Sequence, residues 1–540
     1  MYQPPPCAFN RVTFNFTVTS AGRQFDRLAV MYFNDTEVWR TSTAEPTSSG
    51  IIWTYIKDMS NYLALFRQPQ KIIFDLGNII DDTYTAPFNT ILTATFFNDE
   101  SAPTAADLIL PISAKRSATN QPSAFQFPDQ NATSVISLPR NIQKAVFTIA
   151  AVGQIGEEFW WSNVLSSDTK AFSQSGDLYG YSPFRELQLY IDGSLAGVAW
   201  PFPVIFTGGV VPGFWRPVVG IDAFDLQEDE VDITPWLPLL CDGRDHTFEI
   251  RVAGIDDDGR GHGSLVQIGS PGYWVITGKI FIWSDKAGAI TTGTPPVVNI
   301  SNPDIALGSV AGRDPRNMTQ NDTLSYFTAV QRQLSISSTV NTSKGSKELS
   351  WKQDLNFLNS GNFSQAGNVQ VTNQYTGGVH TSSNDYSRNY AYPLQVYSAY
   401  YTDPVSKNSS IDATMDRAKN VQALGQLSFS NGLLASERPN YAGSSLRTRQ
   451  NGTATYLSVP SLKASFGSGT TEQDLRFGGL QATGQDTELY QRHVLAVNGT
   501  LVQDTDAFHG RTAVVVAARP ASLQEFADMP IRRMLGRGPG

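Results

Sequence analysis

The chain of 540 residues is too long for one ordinary core, which sets about two to four domains as the expectation. Its net charge is −9, only 16% of its residues are charged, and basic residues cluster only at the short Arg532-Arg533 end, which argues against nucleic acid as a partner. The histidines (His246, His262, His380, His493 and His509) are scattered without ligand spacing, so no metal site is expected and no cofactor is called for.

Short alternating runs bounded by turn residues dominate the chain and predict an all-β fold. Phe14, Phe16 and Val18 alternate with Asn15, Thr17 and Thr19. Leu28 to Phe33 reads as a strand with two apolar faces, Leu28, Val30 and Tyr32 on one and Ala29, Met31 and Phe33 on the other. Asp26 is in phase with the first face. A carboxylate there is expensive to bury unless Arg27, backbone N–H groups or a substrate compensates it, although a strand-end carboxylate bound by a loop has the same pattern. Glu45 precedes Pro46 in a polar turn and has local backbone amides within reach. Weak helical periodicity appears at Met59–Phe66 and again at Leu523–Met534. Asp75 sits in Phe74-Asp75-Leu76-Gly77-Asn78, and the apolar run Ile91–Phe97 closes a first unit over 8–115.

A second unit, 137–286, opens with the strand Ala145–Ala151 and closes with Tyr273–Trp283. Within it, Glu158 precedes Phe159, Trp160 and Trp161. Glu186 shares a face with Phe184, Gln188 and Tyr190, opposite the core-type Leu187, Leu189 and Ile191. A carboxylate among rings and amides suits sugar binding, and so do Trp160, Trp161, Trp200 and Trp215, for which core packing is the alternative. The uncharged run Gly193–Trp215 is broken by Pro201, Pro203, Pro212 and several glycines, so it reads as loop and strand, not as a membrane segment. Asp256-Asp257-Asp258-Gly259 reads as a turn, with a calcium cluster as the alternative. Residues 287–325, carrying Pro295-Pro296 and Asn302-Pro303, look like a linker, and 326–520 a further β-rich domain.

Two cysteines, Cys7 and Cys241, would form one disulfide in an oxidising compartment, worth roughly 5 kcal/mol in the chain-entropy model; two free thiols are the alternative. Acceptor sequons at Asn15, Asn34, Asn131, Asn299, Asn317, Asn321, Asn341, Asn362, Asn408, Asn451 and Asn498 suit a glycosylated protein of the secretory pathway, secreted or vacuolar. The opening Met1-Tyr2-Gln3-Pro4 has no leader-like pattern, which suggests a fragment lacking its natural leader.

Ordered phrases over roughly the first 290 residues resemble the fungal branch of the peptide:N-glycosidase A family. They include GRQFDRLAVMYFNDTEVWRTSTAEPT, WTYIKDMSNYLALF and FDLGNIIDDTYT in the first unit, and EEFWWSN, FRELQLYIDGSLAGVAWPFPVIFTGGVVPGFWRP and LLCDGRDHTFEIRVAGIDDDG in the second. One departure is Thr85-Ala86, where the family would have Thr-Gly. A fainter resemblance to the bacterial peptide:N-glycosidase F type rests on Phe25-Asp26-Arg27 and on Glu186 ahead of Asp192-Gly193. It implies two adjacent jelly-roll-like β-sandwiches with a cleft between them.

The resemblance implies an amidase that cleaves between Asn and the innermost N-acetylglucosamine of N-glycosylated peptides or unfolded glycoproteins, converts Asn to Asp, and tolerates core fucose. Such hydrolysis needs an activated water, an acid for the leaving nitrogen and oxyanion donors, which carboxylates supply best at acidic pH. Asp26, Glu186 and Arg27 are therefore the expected catalytic residues, with Asp75, Glu158 and the four tryptophans for substrate binding. A non-catalytic lectin on the same fold and a glycoside hydrolase remain as alternatives.

Overall fold

The structure, a computed structural model, describes residues 1–46, 48–99, 104–206, 208–215, 221–429, 441–462, 464–508 and 511–514. Six strands build the first sandwich: β1 (Arg11–Ser20), β2 (Leu28–Phe33), β3 (Thr36–Ser42), β4 (Ile51–Asp58), β5 (Ile72–Leu76) and β6 (Asn89–Phe97). They form two antiparallel sheets in the orders β4-β1-β6 and β3-β2-β5. The alternation read from β1 is observed: Val12, Phe14, Phe16 and Val18 are buried, and Phe16 meets Trp39 edge to face at 5.0 Å. Both faces of β2 are covered. Met31 and Phe33 join the sandwich core, while Val30 and Tyr32 pack against Ala124 and Val275 of the second sandwich. The helical signal at Met59–Phe66 corresponds to a short 3-10 turn followed by one helical turn, Leu63–Phe66.

The second sandwich comprises β7 (Leu108–Ile112), β8 (Phe125–Phe127), β9 (Ala132–Ser137), β10 (Ile142–Ile155), β11 (Glu186–Ile191), β12 (Ser194–Ala199), β13 (Asp229–Asp232), β14 (Asp245–Asp257), β15 (Gly263–Gln267) and β16 (Gly272–Ser284). One five-stranded sheet is built on β10 and β16, the other on β11 and β14. The chain enters this sandwich earlier than the sequence suggested: β7, inside the expected first unit, pairs with β16, and β9 pairs with β14. A buried strut locks the two sandwiches together. Arg40 donates two bonds to Glu37, at 2.9 and 2.8 Å, and a third to the Val275 carbonyl at 2.8 Å, while the Thr277 hydroxyl donates to Glu37 at 2.6 Å.

The third region is one large antiparallel sheet. Its strands are β17 (Thr292–Gly293), β18 (Val297–Ile300), β19 (Asp304–Asp314), β20 (Asn317–Thr342), β21 (Gly345–Ser364), β22 (Val369–Ser382), β23 (Tyr386–Thr402), β24 (Ser409–Leu424), β25 (Gly443–Val459), β26 (Ala464–Leu480), β27 (Asp486–Val497), β28 (Thr500–Phe508) and β29 (Arg511–Val514). The expected linker over 287–325 is therefore corrected. Its residues form β17, β18 and β19, which pair along β20, and the prolines fall in the gaps between these strands. Leu523–Met534 lies outside the described residues, among which no helix is long and apolar enough to cross a membrane.

The disulfide expectation is also corrected: Cys7 and Cys241 are free thiols. Cys7 is exposed in the N-terminal segment beside the first sandwich, whereas Cys241 is buried after the turn Leu237–Leu240 of the second, where burial pushes its thiol up to about 11.

Glu186 shows how the large sheet docks. It is fully buried, ion-paired with Arg332 of β20, and accepts hydrogen bonds from Gln188 at 2.8 Å and from the Trp200 indole at 3.0 Å. Beside it, Gln353 bridges to the backbone of Val198. Removing one partner of a buried pair strands the other charge. Glu186→Ala should therefore cost about 3–5 kcal/mol in denaturant unfolding, and Glu186→Leu with Arg332→Met should recover most of it.

Candidate active site

Asp26 and Glu45 lie side by side because of a hairpin. Strands β2 and β3 pair with Leu28 opposite Ser42, and the pairing continues past their ends. The Arg27 amide donates to the Thr43 hydroxyl at 2.8 Å, and the Thr43 amide returns a bond to the Arg27 carbonyl at 3.0 Å. Glu45, 5% exposed, is held against the 206–209 loop, where a Cβ on Gly208 (φ +83) would lie 2.4 Å from the Glu45 carboxylate oxygen. Only glycine permits that approach.

Glu158 arrives from the second sandwich on the turn that ends β10. The turn is anchored by its neighbour Glu157, whose buried carboxylate accepts two bonds from Arg185, at 2.6 and 2.7 Å, and one from the Trp274 indole at 2.9 Å. Gly153 and Gly272 leave room for it, since a Cβ on either would come within 2.5 Å of the Glu157 backbone. Phe159, one residue on, packs against Gly209 of the loop that contacts Glu45.

These two constructions converge on Asp26. Its carboxyl is raised well above the ordinary aspartate value, first by burial, then by the negative charge of Glu158 and that of Glu45; its own backbone and Arg27 oppose the rise only in part. Arg27 does not clamp Asp26. Its guanidinium donates to Gln24 at 2.7 Å and lies 5.4 Å from the centre of the Tyr84 ring. Tyr84 also meets Phe25 edge to face, so the loop after β5 forms a wall beside the carboxylates. At Ala86, the departure from the family phrase, the backbone amide donates to the Arg23 carbonyl at 3.0 Å and the residue has no positive φ, so alanine fits.

The arrangement supplies what acid–base chemistry needs: one carboxyl that binds its proton more tightly than an ordinary aspartate, and two further carboxylates beside it, at the junction of two rigid sandwiches. A cavity of about 470 Å³ lies elsewhere, between the first sandwich, residues 222–230 and the C-terminal sheet, and none of the three carboxylates lines it.

The model of the family described as peptide N-acetyl-beta-D-glucosaminyl asparaginase amidase A matches residues 1–299, which carry all three carboxylates, and its C-terminal-domain model matches 325–394. The chain belongs to that amidase A family. It is 30% identical over 387 residues to the peptide-N4-(N-acetyl-beta-glucosaminyl)asparagine amidase A of Prunus dulcis, covering 68% of this chain and 63% of that protein's length. Two solved structures of PNGF-II, in P21 and C2 space groups, are 12% identical, with TM-scores of 0.33 and 0.34; they cover 53% and 52% of this chain and 59% and 58% of theirs.

Against the amidase A phrases, the structure separates the expected site residues. Asp26 and Glu158 come together. Glu186 does not join them, being sealed under the C-terminal sheet with no solvent-exposed surface. Asp75 lies on β5 opposite Val30; it is exposed, and partial desolvation raises its carboxyl. Trp160, Trp161, Trp200 and Trp215 are all at most 4% exposed, so they pack the interior and offer no platform to a sugar. Trp200 donates to Glu186 and Trp215 to the Gly209 carbonyl. Glu45 was visible in the sequence but not placed. Counting back from an Asn34-Asp35 turn would have set its segment beside Asp26.

Asp256 and Asp257 end β14, paired with Ser264 and Gly263, and the turn begins at Asp258-Gly259, with Asp257 and Asp258 accepting bonds from the amides of Gly259 and Arg260. Among the described residues, Glu472, Asp474 and His493 bring possible ligand atoms within 4.8 Å of one another, on neighbouring strands that histidine spacing does not reveal.

A carboxyl raised on folding contributes stability that is fully present below its unfolded value of 3.8 and lost as pH rises through the folded value. Asp26→Asn should accordingly melt at a higher temperature than the native protein near neutral pH, with the difference vanishing at strongly acidic pH. Thermal unfolding across pH checks this.

Proposed function

We propose that this protein hydrolyses the amide between asparagine and the innermost N-acetylglucosamine of N-glycosylated peptides or unfolded glycoproteins, releasing the whole glycan as a glycosylamine and leaving aspartate. The observation that carries the proposal is the convergence of Asp26, Glu45 and Glu158 at the sandwich junction, where burial and the two neighbouring charges raise the Asp26 carboxyl. Membership of the amidase A family supports it, as does the name of the almond relative, of whose length this chain spans 63%.

In this reading an ionised carboxylate, Glu158 or Glu45, takes a proton from water as its oxygen attacks the side-chain carbonyl carbon. Asp26 delivers its proton to the nitrogen as the C–N bond breaks. Activity lasts while Asp26 keeps its proton and falls as pH climbs through the raised value; on the acid side it fails when the water-activating carboxylate is protonated. No sulfur nucleophile takes part, since Cys7 is exposed at the N-terminus and Cys241 is buried with a raised thiol. The phrase-level resemblance supports the fungal branch, and the exposed sequons, among them Asn15, Asn131 and Asn362, support a route through the secretory pathway to a secreted or vacuolar destination.

Mass spectrometry of a defined N-glycopeptide after incubation at acidic pH tests the proposal. In water enriched in heavy oxygen, the freed peptide should carry Asp with one heavy oxygen. Asp26→Asn should lower the rate by about 10²–10⁴-fold, whereas Glu186→Gln, once folded, should stay near the native rate. A peptide that retains one sugar would instead identify a glycoside hydrolase.

A further inference from the structure

The outer face of the C-terminal sheet carries a small aromatic patch centred on a sequon. On β20, Leu324, Tyr326, Thr328 and Val330 are buried against the rest of the protein, while Ser325 and Phe327 point away. Asn362 on β21 is exposed and stands opposite Ser325 on one side and Val371 of β22 on the other; Val371 in turn stands opposite Tyr397 of β23. Phe363, the middle residue of the sequon Asn362-Phe363-Ser364, is 2% exposed on the inner face, which fixes Asn362 outward.

Phe327 is 49% exposed and Tyr397 37%. The Phe327 ring lies over β19, where a Cβ on Gly308 would be 3.0 Å from the ring edge, and the residue stays about half exposed. From strand spacing and rise, Asn362 is about 8 Å from Phe327 and about 10 Å from Tyr397. Small or uncharged side chains fill the space between: Ser325, Ser360 and Val371, with Asn373 and Thr414 flanking. Exposed rings on a broad antiparallel sheet invite association unless they are covered. A neutral, ring-shaped ligand with an apolar face suits a surface that offers rings and uncharged polar groups.

We propose that Asn362 is an N-glycosylation site whose inner N-acetylglucosamine units lie across the Phe327 and Tyr397 rings, so that the sugar becomes the outer cover of the sheet. In the attachment, the Asn362 amide nitrogen displaces the lipid pyrophosphate from the anomeric carbon of a lipid-linked oligosaccharide and gives up a proton. The glycan–Asn bond is then held flat against β21, where an endoglycosidic or amidase cleft cannot close around it. The inference rests on the secretory route proposed above and is independent of the amidase reading.

The test uses full-length protein secreted from a eukaryotic host, with glycopeptides mapped by mass spectrometry and release followed on native protein after adding a peptide:N-glycosidase. Asn362 should be occupied, and its glycan should leave several-fold more slowly than the glycan on Asn131, an exposed acceptor of the second sandwich. The Phe327→Ser/Tyr397→Ser variant should abolish that lag; if it is not secreted, Tyr397→Ser alone should shorten it. A bare Asn362 beside an occupied Asn131 overturns the inference and leaves the secretory route standing. Both sites bare overturns both, and release rates that ignore the rings overturn the stacking.

Discussion

The amidase chemistry proposed for this protein depends on three carboxyl groups being held together against their mutual repulsion. Two unit charges about 4 Å apart repel by about 4 kcal/mol at an effective dielectric constant of about 20, a cost a loop would relieve by moving. The chain prevents that movement with stiff supports on each side. The two Arg27–Thr43 hydrogen bonds, one of them to the Thr43 hydroxyl, prolong a hairpin, Arg185 and Trp274 saturate the carboxylate of Glu157, and the Arg40–Glu37 strut keeps the two sandwiches from sliding. Burial is the first cause that raises the Asp26 carboxyl, and because the backbone cannot yield, the repulsion from Glu158 and Glu45 raises it further.

Legibility in the sequence followed the range of the interactions. The alternation of β1, the two apolar faces of β2 and the helical turn at Met59–Phe66 are local patterns and were readable. Asp26 and Glu158 were readable as members of long family phrases. Glu45 needed the register of a hairpin, a pairing across some twenty residues. Glu186 misled because its face of rings and amides looks like a sugar site until a third region, starting more than a hundred residues later, brings Arg332 over it. The same covering turns Trp200 into a packing residue, and the loops around Gly209 do so for Trp215. Residues 287–325 read as a linker because their prolines break the pattern, yet the short runs between breaks suffice to pair along one 26-residue strand.

The C-terminal sheet is thus more than an appendage. Its inner face closes the second sandwich, and its edge with residues 222–230 forms a charged seam. There burial pushes Asp229 up to about 6 and lowers Lys419, while Glu230 is held by the Ser428 amide and hydroxyl. Its outer face is polar apart from scattered apolar side chains such as Phe327, Leu358 and Tyr375. This division, a buried inner face and a largely polar outer face, suits a broad sheet that covers the sandwiches as a single layer.

The site depends on Glu158 and Glu45 acting electrostatically on Asp26. Following the Asp26 carboxyl by carbon NMR across pH, in protein labelled at aspartate, tests it most directly. The account predicts a titration well above the ordinary aspartate range that moves down in Glu158→Gln and down again when Glu45→Gln is added. An Asp26 that titrates at the ordinary value, or one indifferent to both substitutions, would contradict it.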